Sequence, residues 1–153
     1  MVGNMASRPL ASKLVNDITK ISLGKSEKIS YFVRQKAILA LLRIFRKFKD
    51  NFPNTDNWAK YVVPMLEEEH KLSFINSTLS LVLGIINLRP SQQWEEVIPP
   101  IVKILENLVV SDICPQNYKY YGINCPIIQV KAIRILSRLP VPKGRGGLVE
   151  RIV

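Results

Sequence analysis

The chain has 153 residues, 47% of them apolar and 8% aromatic, and carries 22 Lys plus Arg against 12 Asp plus Glu for a net charge of +10. That length suits one domain of the usual ~100–200 residues, and the apolar fraction excludes a disordered chain. Cys114, Cys125 and the lone His70 cannot supply a disulfide framework or the ~four ligands of a structural zinc site, so the thiols read as reduced cysteines of a cytosolic protein.

Helical periodicity runs almost throughout, and no long stretch alternates with period two, so an all-α chain of six to seven helices is expected. A first helix is predicted over 10–23, with Leu10, Leu14, Val15, Ile18 and Ile21 on one face and Gly24 as its stop. Ser30 can cap a second, reaching to about Lys49, whose stripe is Val33, Ala37, Ile38, Leu41, Leu42, Phe45 and Phe48. A short third helix follows Asp56 and carries Trp58, Tyr61, Val62, Met65 and Leu66.

The fourth, over 71–88, contains the longest uncharged stretch. Ser73, Asn76, Ser77, Thr78, Ser80 and Asn87 interrupt it, so it reads as the most buried helix rather than a membrane span of ~20 apolar residues. In the fifth, over 92–110, Pro99 and Pro100 remove two backbone donors and are expected to kink or split it. A loop over 111–126 leads to a sixth helix ending near Leu139, a linker over 140–147, and a seventh starting at Leu148. The N-terminus lacks the apolar run of a secretory leader.

KAILALLR at 36–43 recurs as KAIRILSR at 131–138. A repeated helix with the uncharged fourth helix between its copies fits helix pairs spaced at ~40–47 residues, so the expected architecture is a HEAT- or armadillo-like α-α superhelix. A helix beginning at Leu148 without a closing repeat suggests that residues 1–153 are one segment of a longer, truncated solenoid.

The charge is unevenly spread: +8 over 1–50, −4 over 51–112 and +6 over 113–153. The acidic centre, with Glu67, Glu68, Glu69, Glu95 and Glu96, does not suit a uniformly basic nucleic-acid binder. The best candidate contact is Arg43, Arg46, Lys47 and Lys49. Positions i, i+3 and i+4 put the first three on one face, able to meet an anionic headgroup or an acidic partner; the competing reading is a solvated helix end whose cations complement the helix dipole.

Tyr118, Tyr120 and Tyr121 are expected to bury rings and pin their loop, with an exposed peptide-binding patch as the alternative. Consecutive Glu67, Glu68, Glu69 and His70 point in different directions and form no metal or acid–base set. The glycines at 144–147 lack the spacing of a phosphate loop, and Asn76-Ser77-Thr78 is a chance glycosylation triplet in a buried helix. No nucleophile pair or nucleophile elbow is present, so no enzyme, cofactor or metal is expected.

VRQKAILALLRIFR (33–46), DNWAKYVVPMLEEEH (56–70) and NYKYYGINCPIIQVKAIRILSRLP (117–140) resemble, in order and spacing, three segments of the trunk of the alpha-adaptins, large subunits of the plasma-membrane clathrin adaptor. The third segment is the most specific: Tyr118, Tyr120, Tyr121, Pro126, Val130, Lys131 and Arg134 stand at family positions. Asn124 and Ile127 depart from it, where the family usually has proline and tryptophan.

The resemblance covers residues 3–153 and a middle part of the trunk, so no lipid-site residue is carried over. It implies a structural and interaction segment in clathrin-mediated endocytosis and protein transport, with other adaptor subunits as partners and clathrin and cargo reached indirectly. The implied location is cytoplasmic, peripheral on the plasma membrane at coated pits through the whole complex, with no nucleic acid. The alternative is a basic helical-repeat module that binds nucleic acid or another acidic partner.

Overall fold

The computed structural model describes residues 7–24, 29–52, 55–67, 71–89 and 92–140. The anticipated linker beyond residue 140, the helix from Leu148 and the segment 68–70 lie outside them. Among the described residues there are six helices: α1 (Arg8–Leu23), α2 (Tyr31–Lys47), α3 (Ala59–Glu67), α4 (Leu72–Leu88), α5 (Ile98–Val109) and α6 (Pro126–Leu136). α1 packs on α2, α3 on α4 and α5 on α6; α2 also packs on α4, α4 on α6, and α3 on α5. Three helix pairs stacked in two layers make this an all-α solenoid of the expected kind.

Local chemistry explains the boundaries. Ser30 Oγ accepts from the Val33 amide at 3.4 Å and opens α2. α2 ends at Lys47, two residues sooner than its apolar pattern suggests, and a 3₁₀ turn (Lys49–Asn51) follows. Gly24 ends α1 in an extended conformation rather than a left-handed one; a Cβ there would collide with the Lys20 carbonyl oxygen, so a close approach demands glycine. Pro99 and Pro100 occupy the first turn of α5, where proline lacks a donor that the helix would not use, and a 3₁₀ turn (Gln92–Val97) precedes them. The expected fifth helix is thereby split, its break falling before the prolines.

α4 is the most deeply buried helix, with Phe74, Ile75, Leu79, Leu81, Val82, Ile85 and Ile86 in the core. Three of its hydroxyls donate within the helix: Ser77 Oγ to Ser73 O, Thr78 Oγ1 to Phe74 O and Ser80 Oγ to Asn76 O, at 3.0, 3.1 and 2.7 Å. Gly84 faces α2, where a Cβ would run into Leu42 Cδ1. At the end of α4, Arg89 donates from Nη1 to Phe52 O and from Nη2 to Lys49 O, tying down the turn after α2. Phe52 in turn packs edge-on between Phe45 and Trp58, with centroids at 5.4 and 5.7 Å.

The loop between α5 and α6 contains a hairpin that helical periodicity gave no hint of. β1 (Lys119–Tyr120) pairs antiparallel with β2 (Ile123–Asn124), and Tyr121 and Gly122 between them both have positive φ, as a primed two-residue turn requires. Asn124 is buried, donating from Nδ2 to Leu108 O at 2.7 Å and to Asp112 Oδ1 at 2.5 Å, and Lys119 adds an ion pair to Asp112 at 3.0 Å. These bonds pin the loop. The tyrosine rings are not buried as expected: Tyr118, Tyr120 and Tyr121 are 39%, 64% and 89% exposed, the last two stacked edge-on at 4.6 Å.

The two copies of the sequence repeat differ in rotation. Ile38 is fully buried, whereas its counterpart Ile133 is 55% exposed; Leu41 is fully buried, while Leu136 is half-buried. α2 lies between α1 and α4, whereas α6 packs chiefly on α4 and α5 among the described helices, and its inward stripe is the narrower Ile128, Ala132 and Ile135. Ile127, Val130 and Ile133 face outward. Arg43 and Arg138 are exposed in both copies.

A candidate cationic groove across three helices

A groove of about 500 Å³ runs across the faces of α2, α4 and α6. Leu39, Ala40 and Leu42 of α2 and Leu83 of α4 supply its apolar surface, and Lys36, Arg43, Arg46 and Lys131 supply its charge. None of the lining side chains is acidic. On α2 the three cations stand at i, i+7 and i+10, which places them along one side of the helix over about 15 Å at a rise of 1.5 Å per residue. All three are exposed.

Lys131 differs from them. It is half-buried on α6, and its ammonium donates to Asn76 Oδ1 at 2.6 Å and to Ser80 Oγ at 2.7 Å on α4. These partners are neutral, so they hold the ammonium without cancelling its charge, and burial draws its pKa down from the ordinary value. An anion entering the groove would replace the lost hydration.

Of the four cations expected to form a patch, Arg43 and Arg46 line this groove. Lys47 lies elsewhere, its ammonium over the Phe48 ring at 5.2 Å, and Lys49 stands exposed in the 3₁₀ turn. Lys36 and Lys131 are the groove residues that the patch omitted. The signal for them was in the repeat: each opens its copy of the shared string, and stacking the copies on either side of α4 brings both into one groove.

Elsewhere, no three His, Cys, Asp or Glu side chains converge on a metal-sized space among the described residues, and no described helix is long and apolar enough to cross a membrane. Asp112 is held below the usual carboxylate range by the Asn124 amide and then by Lys119, which makes it a fastener of the hairpin.

No family model matches the chain. It is 37% identical, over 98% of its length, to the AP-2 complex subunits alpha-1 and alpha-2 of Arabidopsis thaliana. It is 29% identical, over 95%, to the AP-2 complex subunit alpha-2 of Dictyostelium discoideum, and 27% identical, over 90%, to the AP-1 complex subunit gamma of the same organism. The chain spans 15% of the length of the Arabidopsis relatives and 14% of the Dictyostelium ones. With its stacked helix pairs, the chain is consistent with a portion of an alpha-adaptin.

Proposed function

We propose that the chain is a structural and interaction segment of an adaptor-complex large subunit, part of an adaptin trunk, that works in clathrin-mediated endocytosis at the cytoplasmic face of the plasma membrane. It acts by non-covalent docking. The observation that carries this reading is the groove across α2, α4 and α6, taken with the similarity to AP-2 alpha subunits. Its occupant is an acidic amphipathic segment of another adaptor subunit: the cations meet its carboxylates, and Leu39, Leu42 and Leu83 meet its apolar side. A nucleic-acid backbone would use the cations alone and leave that leucine surface without a role.

The test is co-expression of the chain with the other adaptor subunits, comparing native protein with a Lys36→Glu, Arg43→Glu, Arg46→Glu triple variant. The sites are solvated, so each change is expected to alter stability by within about 0.5 kcal/mol and to leave helicity unchanged. Recovery of partner subunits should fall sharply in the variant. Undiminished recovery would remove the groove from the interface. Tight RNA or DNA binding that collapses as salt rises would favour the nucleic-acid alternative.

A further inference from the structure

Two thiols bracket the tyrosine hairpin. Cys114 lies in the irregular segment after α5 and is half-buried; Cys125 is 4% exposed and caps α6 in a left-handed conformation, φ 44°. They are eleven positions apart in sequence, and their Sγ atoms are 3.3 Å apart. That is van der Waals contact, and a disulfide at about 2.05 Å requires an approach of little more than about 1 Å. Cys125 is held by its place at the head of α6 and by its amide, which donates to Tyr118 O at 3.0 Å. Cys114 sits in a stretch outside any helix or strand, its amide donating to Asp112 O at 3.0 Å, so the approach needs a shift of that irregular segment and not of a helix.

We propose that Cys114 and Cys125 form a reversible redox clasp, a modification site for small-molecule disulfides such as oxidised glutathione, whose closure fastens the exposed Tyr120–Tyr121 hairpin to the start of α6. The more accessible Cys114 reacts first. Its Sγ, having given its proton to water, attacks one sulfur of the oxidant RSSR; the S–S bond breaks, and one RS⁻ leaves and is protonated. Cys125 then loses its proton and attacks Cys114 Sγ, expelling the second RS⁻. In sum, two cysteine thiols lose two electrons and two protons to give one disulfide, and RSSR becomes two RSH.

The geometry also sets the order and pace. Burial, reinforced by the neighbouring Cys114 thiol, pushes the Cys125 thiol up to about 12. Cys125 is thus a slow nucleophile at neutral pH, and ring closure follows capture of the oxidant by Cys114. The mixed disulfide on Cys114 is therefore a visible intermediate, shorter-lived as pH rises.

The test treats the reduced full chain with excess oxidised glutathione at neutral pH and follows it by intact mass, peptide mapping and chymotrypsin digestion. The expected product has lost two hydrogens, carries a Cys114–Cys125 crosslink in one chain, resists chymotrypsin within residues 118–121 several-fold longer than the reduced chain, and reverts with dithiothreitol. Cys125→Ser should stop at a single glutathione adduct on Cys114, and Cys114→Ser should remain unmodified over the same interval. The native-chain mass and digestion stand even where a variant folds poorly. A stable adduct on both thiols, a crosslink between two chains, no oxidation, or a crosslinked hairpin cleaved as fast as before would each overturn the clasp. None of these results depends on the groove or on adaptor assembly.

Discussion

The Lys131 ammonium of α6 crosses to α4 and donates to Asn76 Oδ1 at 2.6 Å, joining residues 55 positions apart. It ties the two helices beneath the groove and is itself part of the groove's charge. Its pKa in the folded chain is drawn below the ordinary 10.5 by burial. Between that lowered value and 10.5 the unfolded chain binds the proton more readily, so the contribution of this group to stability rises with pH across that window. A bound carboxylate works in the opposite direction and favours the charged form. Affinity for an acidic peptide should therefore fall as pH rises through the folded-state value, and in Lys131→Arg, where the charge persists, the fall should begin at higher pH. Identical pH profiles for the two proteins, measured by titration calorimetry, would exclude Lys131 from binding.

Gly84 and Leu42 test the closeness of α2 and α4. A side chain at 84 must displace Leu42 Cδ1, and Leu42 is only 5% exposed, with little space to move into. Gly84→Val is expected to destabilise the chain by about 1–3 kcal/mol through overpacking. In combination with Leu42→Ala the loss should be smaller than the sum of the two single losses, because the alanine makes room for the valine and the valine fills the space the leucine leaves. Urea unfolding of the four proteins in the cycle measures this directly, and strict additivity would show that the two side chains do not compete for space.

The repeat yields a prediction that its sequence alone would have made wrongly. Leu41→Ala and Ile38→Ala remove fully buried side chains and should each cost about 2–5 kcal/mol. At the matching positions, Leu136 is half-buried and Ile133 mostly exposed, so Leu136→Ala should cost less than Leu41→Ala, and Ile133→Ala should stay within about 0.5 kcal/mol. Equal midpoint shifts for the two copies in denaturant would contradict the observed rotation.

Asp112 should make the hairpin acid-sensitive. Its carboxyl is held below 3.8 in the folded chain by Asn124 and Lys119, so its contribution is present above that value and is lost as pH falls through the folded-state pKa. Amide exchange across residues 118–124 should accelerate in strong acid before the helices respond. In Asp112→Ala, exchange there should be fast already at neutral pH, with far-ultraviolet dichroism nearly unchanged. Slow exchange in that variant would mean that other contacts hold the loop.

The helices were legible because each carries its signal in consecutive residues: Ser30 as a cap, Gly24 as a stop, and the uncharged 72–88 run as the helix that neighbours bury from several sides. The hairpin was not, because strands of two residues are too short to show a period of two, and its clearest mark was the Tyr121-Gly122 pair. The rotation of α6 was hidden for a different reason. Burial depends on which helices lie alongside, and the same string can be flanked on two sides in one place and differently in another. Half of the groove escaped notice on similar grounds, since Lys131 joins Arg43 and Arg46 only through the stacking of α6 on α4.

Arg89 reaches back from the end of α4 to the carbonyls of Lys49 and Phe52. One side chain thus measures the connection that leaves α2 against a fixed point two helices later. In evolutionary terms this connection is calibrated: an insertion or deletion between residues 49 and 52 shifts one carbonyl out of reach, so length variants there should be rarer among descendants than residue exchanges. A lineage that did change that length would have to give up the arginine as well, and the two events should appear together.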